Sequence, residues 1–327
     1  MDEALSLLDM SALIGPNNQL LGNVMEKLAT SGDFTEDGIW VPSNAFGKHV
    51  SAERKSLPTG EDRMANRGVS AAKGVIGQNE DYIGFFESPS VVDDFVLRRT
   101  PPGQKQQARA QYDLAHGLGL GITQRQYSFY GDQLVNPNQP MGLSTRRGSL
   151  GDYCLDAGMS GTKNTSLYMV AWDMHQGVHN IYPDGEDMGI NMQDMDINVV
   201  IDPVFTDKVR WLPYWITWFY LDFGIVVLDD RALIRIANID PETTTQADYE
   251  AVFSLMNQAF RKFRVPKEQI RIYGNTDGLA FLDNMSIYIQ NMNINPVEIQ
   301  SRTYYSAWNS VPLRLCEEIK SNEAAVS

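Results

Sequence analysis

The stretch from Ser166 to Asp240 constrains the fold of this chain more than any other. It opens SLYMVAWDMHQGVHNIYPDGEDMGI and closes WLPYWITWFYLDFGIVVLDDRALIRIANID. β-branched and aromatic residues dominate it, and such side chains fit a pleated, half-buried surface. Almost no nucleophile or metal-ligand arrangement interrupts it. A segment of this kind packs and pairs strands; it is not built around chemistry.

The remaining sequence bounds the molecule further. A chain of 327 residues corresponds to about two domains. With 43% hydrophobic and 21% charged residues it can bury a sizeable core. No stretch reaches the ~18 uninterrupted apolar residues of a membrane span. The longest apolar region, Trp211 to Leu228, contains Pro213, Thr217 and Asp222 and reads as buried strand. The opening MDEALSLLDM is acidic and lacks the basic n-region of a signal peptide, so synthesis in the cytoplasm is expected. In that compartment Cys154 and Cys316 are expected as reduced, packed thiols. A formal charge of −14 repels a phosphate backbone and argues against nucleic-acid binding as the main task. The short basic spots Arg98-Arg99, Arg146-Arg147 and Arg261 to Arg264 read as solvated helix ends or loops.

Along the chain, residues 2–30 read as two short helices separated by Gly15-Pro16. Residues 33–78 are poor in apolar side chains and read as a long loop with little core, a length usually functional or disordered. One or two strands follow over 79–100, then a polar helix from Gln104 to about His116, interrupted by Gly117, Gly119 and Gly121, with a helical or irregular piece resuming near Thr123 to Tyr130. Ser166 to Asp173 and Val178 to Tyr182 read as a hairpin turning at His175-Gln176-Gly177. The run Trp211 to Asp229 is expected to bend or break near Pro213 and Gly224, with Ala232 to Ile239 as a further strand. The clearest helix starts at Thr245, with Asp248 completing a capping box. Its apolar face is Tyr249, Val252, Phe253, Met256, Phe260 and Phe263. Ile270 to Tyr273 reads as a strand and Thr276 opens another helix using Leu279, Leu282 and Ile289. Val297 to Tyr305 and Val311 to Ile319 form a terminal strand pair, and 321–327 is an acidic, frayed tail. The fold class is α+β, without a regular βαβ alternation.

Four groupings carry residue types suited to chemistry. His175 and His179 have HxxxH spacing, but Gly177 and Val178 between them favour a turn over a metal-binding helix. Asp184, Glu186, Asp187, Asp194 and Asp196 lack EF-hand spacing and read as solvated carboxylates. The Gly117-Leu118-Gly119-Leu120-Gly121 run follows a helix instead of a strand, the wrong context for a phosphate loop. Asp229-Asp230 would point to opposite faces of a strand and not converge. No catalytic, cofactor-binding or metal residue is assigned. At this level the open readings are a self-associating structural protein, a hydrolase using loop carboxylates, or another oligomeric shell component.

Several phrases in order resemble the major capsid proteins of tailed bacteriophages, in particular short-tailed phages. They are YGDQLVNPNQPMGL (130–143), TSLYMVAWDMHQGVHNIYPDGEDMGI (165–190), YWITWFYLDFGIVVLDDRALIRIANID (214–240), IYGNTDGLAFLDNM (272–285) and WNSVPLRLCEEI (308–319). The resemblance covers roughly residues 80–320, and Ser310 stands where the closing motif often has Gly. It implies the HK97-like capsid fold, with peripheral and axial domains intertwined over 79–320, a helical N-terminal arm at 1–32 and an arm or extended-loop segment at 33–78. It also implies hexamers and pentamers closing an icosahedral virion shell around double-stranded DNA. The implied partners are a separate scaffolding protein, a portal and a cement or decoration protein, with no membrane and no cofactor.

Overall fold

The computed structural model describes residues 33–100, 103–159, 161–201, 211–242, 244–288, 294–299 and 302–327. The two helices expected over 2–30, the arm at 1–32 and the position of Ile289 lie outside the described residues. In chain order the elements begin with a short helix α1 (Asp33–Asp37) and strands β1 (Trp40–Pro42), β2 (Lys48–Ser56), β3 (Val75–Tyr82) and β4 (Gly84–Asp93). Helices α2 (Asp94–Arg99), α3 (Lys105–Tyr130) and α4 (Leu143–Arg146) follow. Then come β5 (Cys154–Asp156), β6 (Thr165–Ala171), β7 (Val178–Tyr182), β8 (Ile190–Ile201), β9 (Trp211–Val227) and β10 (Leu233–Ile239). Helix α5 (Gln246–Lys262), β11 (Ile270–Gly274), α6 (Thr276–Tyr288) and β12 (Ile294–Ile299), β13 (Arg302–Trp308) and β14 (Val311–Leu315) complete it. The chain divides into two interleaved units, one of 34–84, 127–186 and 223–327, the other holding 85–126 and 187–222.

The larger unit is organised on a seven-stranded sheet in the order β12-β13-β14-β11-β6-β10-β5. Strand β6 runs antiparallel to both β10 and β11, and every residue of β6 and of β10 is buried. A strand buried on both faces needs a nearly continuous apolar run, and LIRIANI supplies one broken by Arg235 and Asn238. Helix α5 adds Tyr249, Val252, Met256 and Ala259 to the same core, and α6 adds Phe281, Leu282 and Met285. Each fully buried Leu, Ile or Val contributes about 1.5–3 kcal/mol, so truncating Leu167 or Ile236 to Ala would cost about 2–5 kcal/mol. The capping box forms: the Thr245 N–H donates to the Asp248 carboxylate at 2.8 Å.

Phe34 is fully buried, its ring 5.0 Å from Phe129, 5.1 Å from Tyr273 and 5.3 Å from Trp172. The segment 33–78 therefore does carry core, contrary to its composition, because one aromatic at its start anchors the whole approach. The rest of it is not structureless either. β1 pairs in parallel with β7, and β2 and β3 form a two-stranded antiparallel ribbon closed by residues 57–74.

In the smaller unit, β9 pairs antiparallel with β8 over Trp211 to Leu221, with a bulge between Asp194 and Ile197. Pro213 sits third in β9 opposite Val199 and the strand does not break there; near a strand start one missing donor is tolerated. Gly224 also lies within the unbroken strand, where a Cβ would meet the Tyr82 carbonyl at 2.6 Å. Val92, Val96, Leu97 and Ala108 form a small core with Tyr112 and Trp215 beside it. Residues 117–121 continue α3 instead of interrupting it. An interior Gly costs a helix only ~1 kcal/mol, less than the packing around Leu120 and Phe129 returns.

Two other expectations fail, the first because β6 takes its partners from across the core and the second because two short neighbouring strands pair with each other. β6 and β7 exist as expected but belong to different sheets, so 173–177 is a link between sheets and not a hairpin turn. The expected strand Val297 to Tyr305 is split into β12 and β13, which pair as a hairpin.

Candidate functional site

The sequence candidates for chemistry do not converge. His175 is exposed in the 173–177 link, where its N–H donates to Asp173, whereas His179 is 1% exposed inside β7. Asp229 receives Arg231 through both carboxylate oxygens, at 2.7 and 2.9 Å, and is held below its ordinary pKa although burial opposes this. Asp230 turns away to Arg147 at 2.9 Å. Of the acidic group, Asp194 pairs with Arg109 at 2.5 Å, and that hydrogen bond lowers its pKa. Asp184, Glu186, Asp187 and Asp196 stay exposed. Among the described residues no three His, Cys, Asp or Glu side chains are grouped to hold a metal ion. Both cysteines are buried and unpaired with each other, and burial raises the Cys154 thiol.

The organised polar groups are buried ionic networks that tie distant segments together. In the larger unit, Arg235 is 3% exposed within β10. Its Nη2 donates to Glu323 at 3.0 Å, its Nε to Ser166 at 3.0 Å and its Nη1 to the Arg147 carbonyl at 3.0 Å. Burial opposes its charge, and Tyr168 and Glu323 more than offset that. Glu323 also accepts from Ser166, from Tyr168 and from Tyr130, and burial beside it pushes both tyrosines far up. The tail expected to fray is therefore packed, with the Val326 N–H donating to Asn238 at 2.8 Å. The physical reason is Arg235, since a buried guanidinium requires a carboxylate.

A second network centres on Asp37, which accepts from Arg314 at 2.9 and 3.0 Å, from Arg271 at 3.1 Å and from Tyr273 at 3.0 Å. A third joins Asp81 to Arg146, whose guanidinium also donates to the Ile225 carbonyl at 2.8 Å. Arg146 and Arg147 are thus mostly buried structural donors, not a solvated basic spot. In the smaller unit, Arg109 holds Asp194 and Thr217, and Asp113 receives Ser90 and Thr217. Sequence reasoning missed these residues. The available signal was a lone Arg within the apolar run LIRIANI, which calls for a buried counter-ion somewhere in the chain.

The exposed surface is of a different character. The ribbon and its tip present Leu57, Met64, Val69, Val75 and Ile76, between 52% and 72% exposed. In the smaller unit, β8 and its approach present Met188, Ile190, Met192, Ile197 and Val199. Aromatic and Met side chains are enriched where proteins meet, and apolar surface on this scale marks interaction sites.

Comparison with known proteins identifies the family. A model of the family described as major capsid protein GP7 matches residues 15–327. The chain belongs to the major capsid protein GP7 family. A chain of the bacteriophage Epsilon15 structure is similar, with a TM-score of 0.68 at 23% identity, covering 99% of this chain and 97% of that one. The bacteriophage JBD30 capsid is similar with a TM-score of 0.53 at 11% identity, covering 96% and 99%. No curated protein matches in sequence. The fold is HK97-like, as the sequence resemblance implied. The chain is a structural, non-enzymatic subunit of a bacteriophage capsid, located in the virion and assembled there into a multimeric shell. No helix among the described residues is long and apolar enough to cross a membrane.

Proposed function

We propose that the subunit forms hexamers and pentamers that close an icosahedral head around double-stranded DNA, and that the β2–β3 ribbon is the extended loop each copy lays on its neighbour. The observation that carries this reading is the ribbon itself: its strands pair with each other alone, and its apolar tip is exposed. An exposed two-stranded ribbon is marginal by itself and gains stability only against another surface. Charge supports β8 of a neighbour as that surface. Between residues 54 and 73 lie Arg54, Lys55, Arg63, Arg67 and Lys73 against Glu61 and Asp62. The segment 184–196 carries five carboxylates and no cation. Such complementarity sets register and speeds encounter more than it adds affinity. The net charge of −14 suits a wall that contains DNA without gripping it. A separate scaffolding protein, a portal and a cement protein complete the proposed assembly.

The test is a variant in which residues 57–74 are replaced by Asn-Gly, compared with the native chain by analytical ultracentrifugation and electron microscopy. The native chain is expected to give capsomer rings or closed shells. The variant is expected to keep the native urea midpoint yet stay unassembled. Shells formed equally well by the variant would overturn the role given to the ribbon. A native chain that stays monomeric at assembly concentrations, with or without scaffold, would overturn the shell itself.

A further inference from the structure

Strand β7 carries a histidine in a place that disfavours one. His179 is 1% exposed, and neither of its ring nitrogens meets a hydrogen-bond partner. Its ring lies edge-on to His49, with centroids 5.7 Å apart and planes at 82°. His49 is the second residue of β2, at the root of the ribbon, and its Nδ1 also lacks a partner. The contact therefore joins the ribbon root to the interior of the larger unit through two imidazoles. Such a contact is favourable only while both rings are neutral. A proton on His179 would place a charge on a fully buried ring, and a proton on the half-buried His49 would place one against that ring's edge.

The charged and titratable groups around the pair are few. Asp81 faces His49 across the ribbon register and is engaged by Arg146. Asp173 and His175 act on His179 from the link before β7, Asp173 favouring the charged ring and His175 opposing it. On β9 the residue opposite His179 is the buried, apolar Val226. Burial is the leading influence on both rings and holds each below its ordinary pKa.

We infer that the His49–His179 contact is an acid-sensitive latch that seats the ribbon root on β7 at neutral pH and releases it when the pair gains a proton. Release frees β2 and β3 at their root while the seven-stranded sheet stays intact, because neither histidine belongs to that sheet. The latch is internal to one subunit. It can fail or hold independently of how copies assemble.

The test is hydrogen exchange on the unassembled full-length chain between pH 7.5 and 4, expressed as protection factors so that the intrinsic pH dependence is removed. Peptides covering 43–56 and 75–84 are expected to lose at least tenfold in protection as pH falls, while peptides covering β6 and β10 keep theirs. The variants His179→Phe and His49→Phe keep a ring in place without a titrating nitrogen. In either one, the loss of protection at the root is expected to move at least one pH unit lower. If His179→Phe fails to fold, His49→Phe, at the less buried position, carries the comparison. The inference is overturned if the root keeps its protection at pH 4, if root and sheet lose it together, or if a folded variant responds like the native chain.

Discussion

Arg235 and Glu323, 88 positions apart in sequence, meet at 3.0 Å with both side chains about 95% buried. The pair fastens the last residues of the chain to the centre of the main sheet. Replacing Glu323 with Ala leaves the guanidinium buried and unpaired, and is expected to lower stability by about 3–5 kcal/mol. Glu323→Gln keeps an acceptor and should cost less. Replacing both partners, Arg235 with Met and Glu323 with Leu, should recover most of the loss. Urea denaturation of the four proteins checks the order, and a Glu323→Ala midpoint equal to the native one would refute it.

Asp37 ties the approach to β1 onto β11 and β14 through Arg271 and Arg314. Asp37→Ala removes the acceptor that two guanidinium groups and the Tyr273 hydroxyl share. A loss of about 1–3 kcal/mol is expected, with faster proteolytic cleavage within 33–42 than within β6. Cleavage at the native rate would show that Phe34 alone holds the segment.

Glycines divide sharply by surroundings. A Cβ at Gly117 or Gly119 meets nothing within 4 Å, so Ala at either position should stabilise α3 by about 0.5–1 kcal/mol. A Cβ at Gly131 meets the Pro140 carbonyl at 2.3 Å, and one at Gly142 meets the Phe129 carbonyl at 2.5 Å. Ala at these two should destabilise. Thermal melts of the four variants are the check, and a common sign would contradict the assignment.

His179 contributes to the pH dependence of global stability, because burial lowers its pKa from 6.5 to about 4. The unfolded chain binds this proton more readily, so the contribution is complete above pH 6.5 and is lost as pH falls toward 4. It amounts to at most about 3 kcal/mol. Urea midpoints at pH 7.5 and 5 should differ less in His179→Phe than in the native chain; equal differences would exclude His179 as a source.

Local patterns were readable and distant pairings were not. The face Tyr249, Val252, Met256 and the box Thr245–Asp248 announce α5 because a helix is specified within four residues. The buried run around Ile234 announces β10 for a similar reason. That β6 pairs with β10 and β11 and not with β7 depends on residues 63 to 105 positions away, which no local period encodes. Composition misjudged 33–78 and 321–327 because one residue in each, Phe34 and Glu323, outweighs its polar neighbours. The order of capsid-like phrases, by contrast, identified the family although no single phrase did.

The Arg235–Glu323 pair also has a consequence in time. Translation proceeds at about 5–20 residues per second, so Arg235 emerges roughly 4–18 s before its counter-ion is made. Until then the guanidinium in β10 lacks this carboxylate, and the buried pair that fastens residue 323 to the central sheet forms only once both residues have been made.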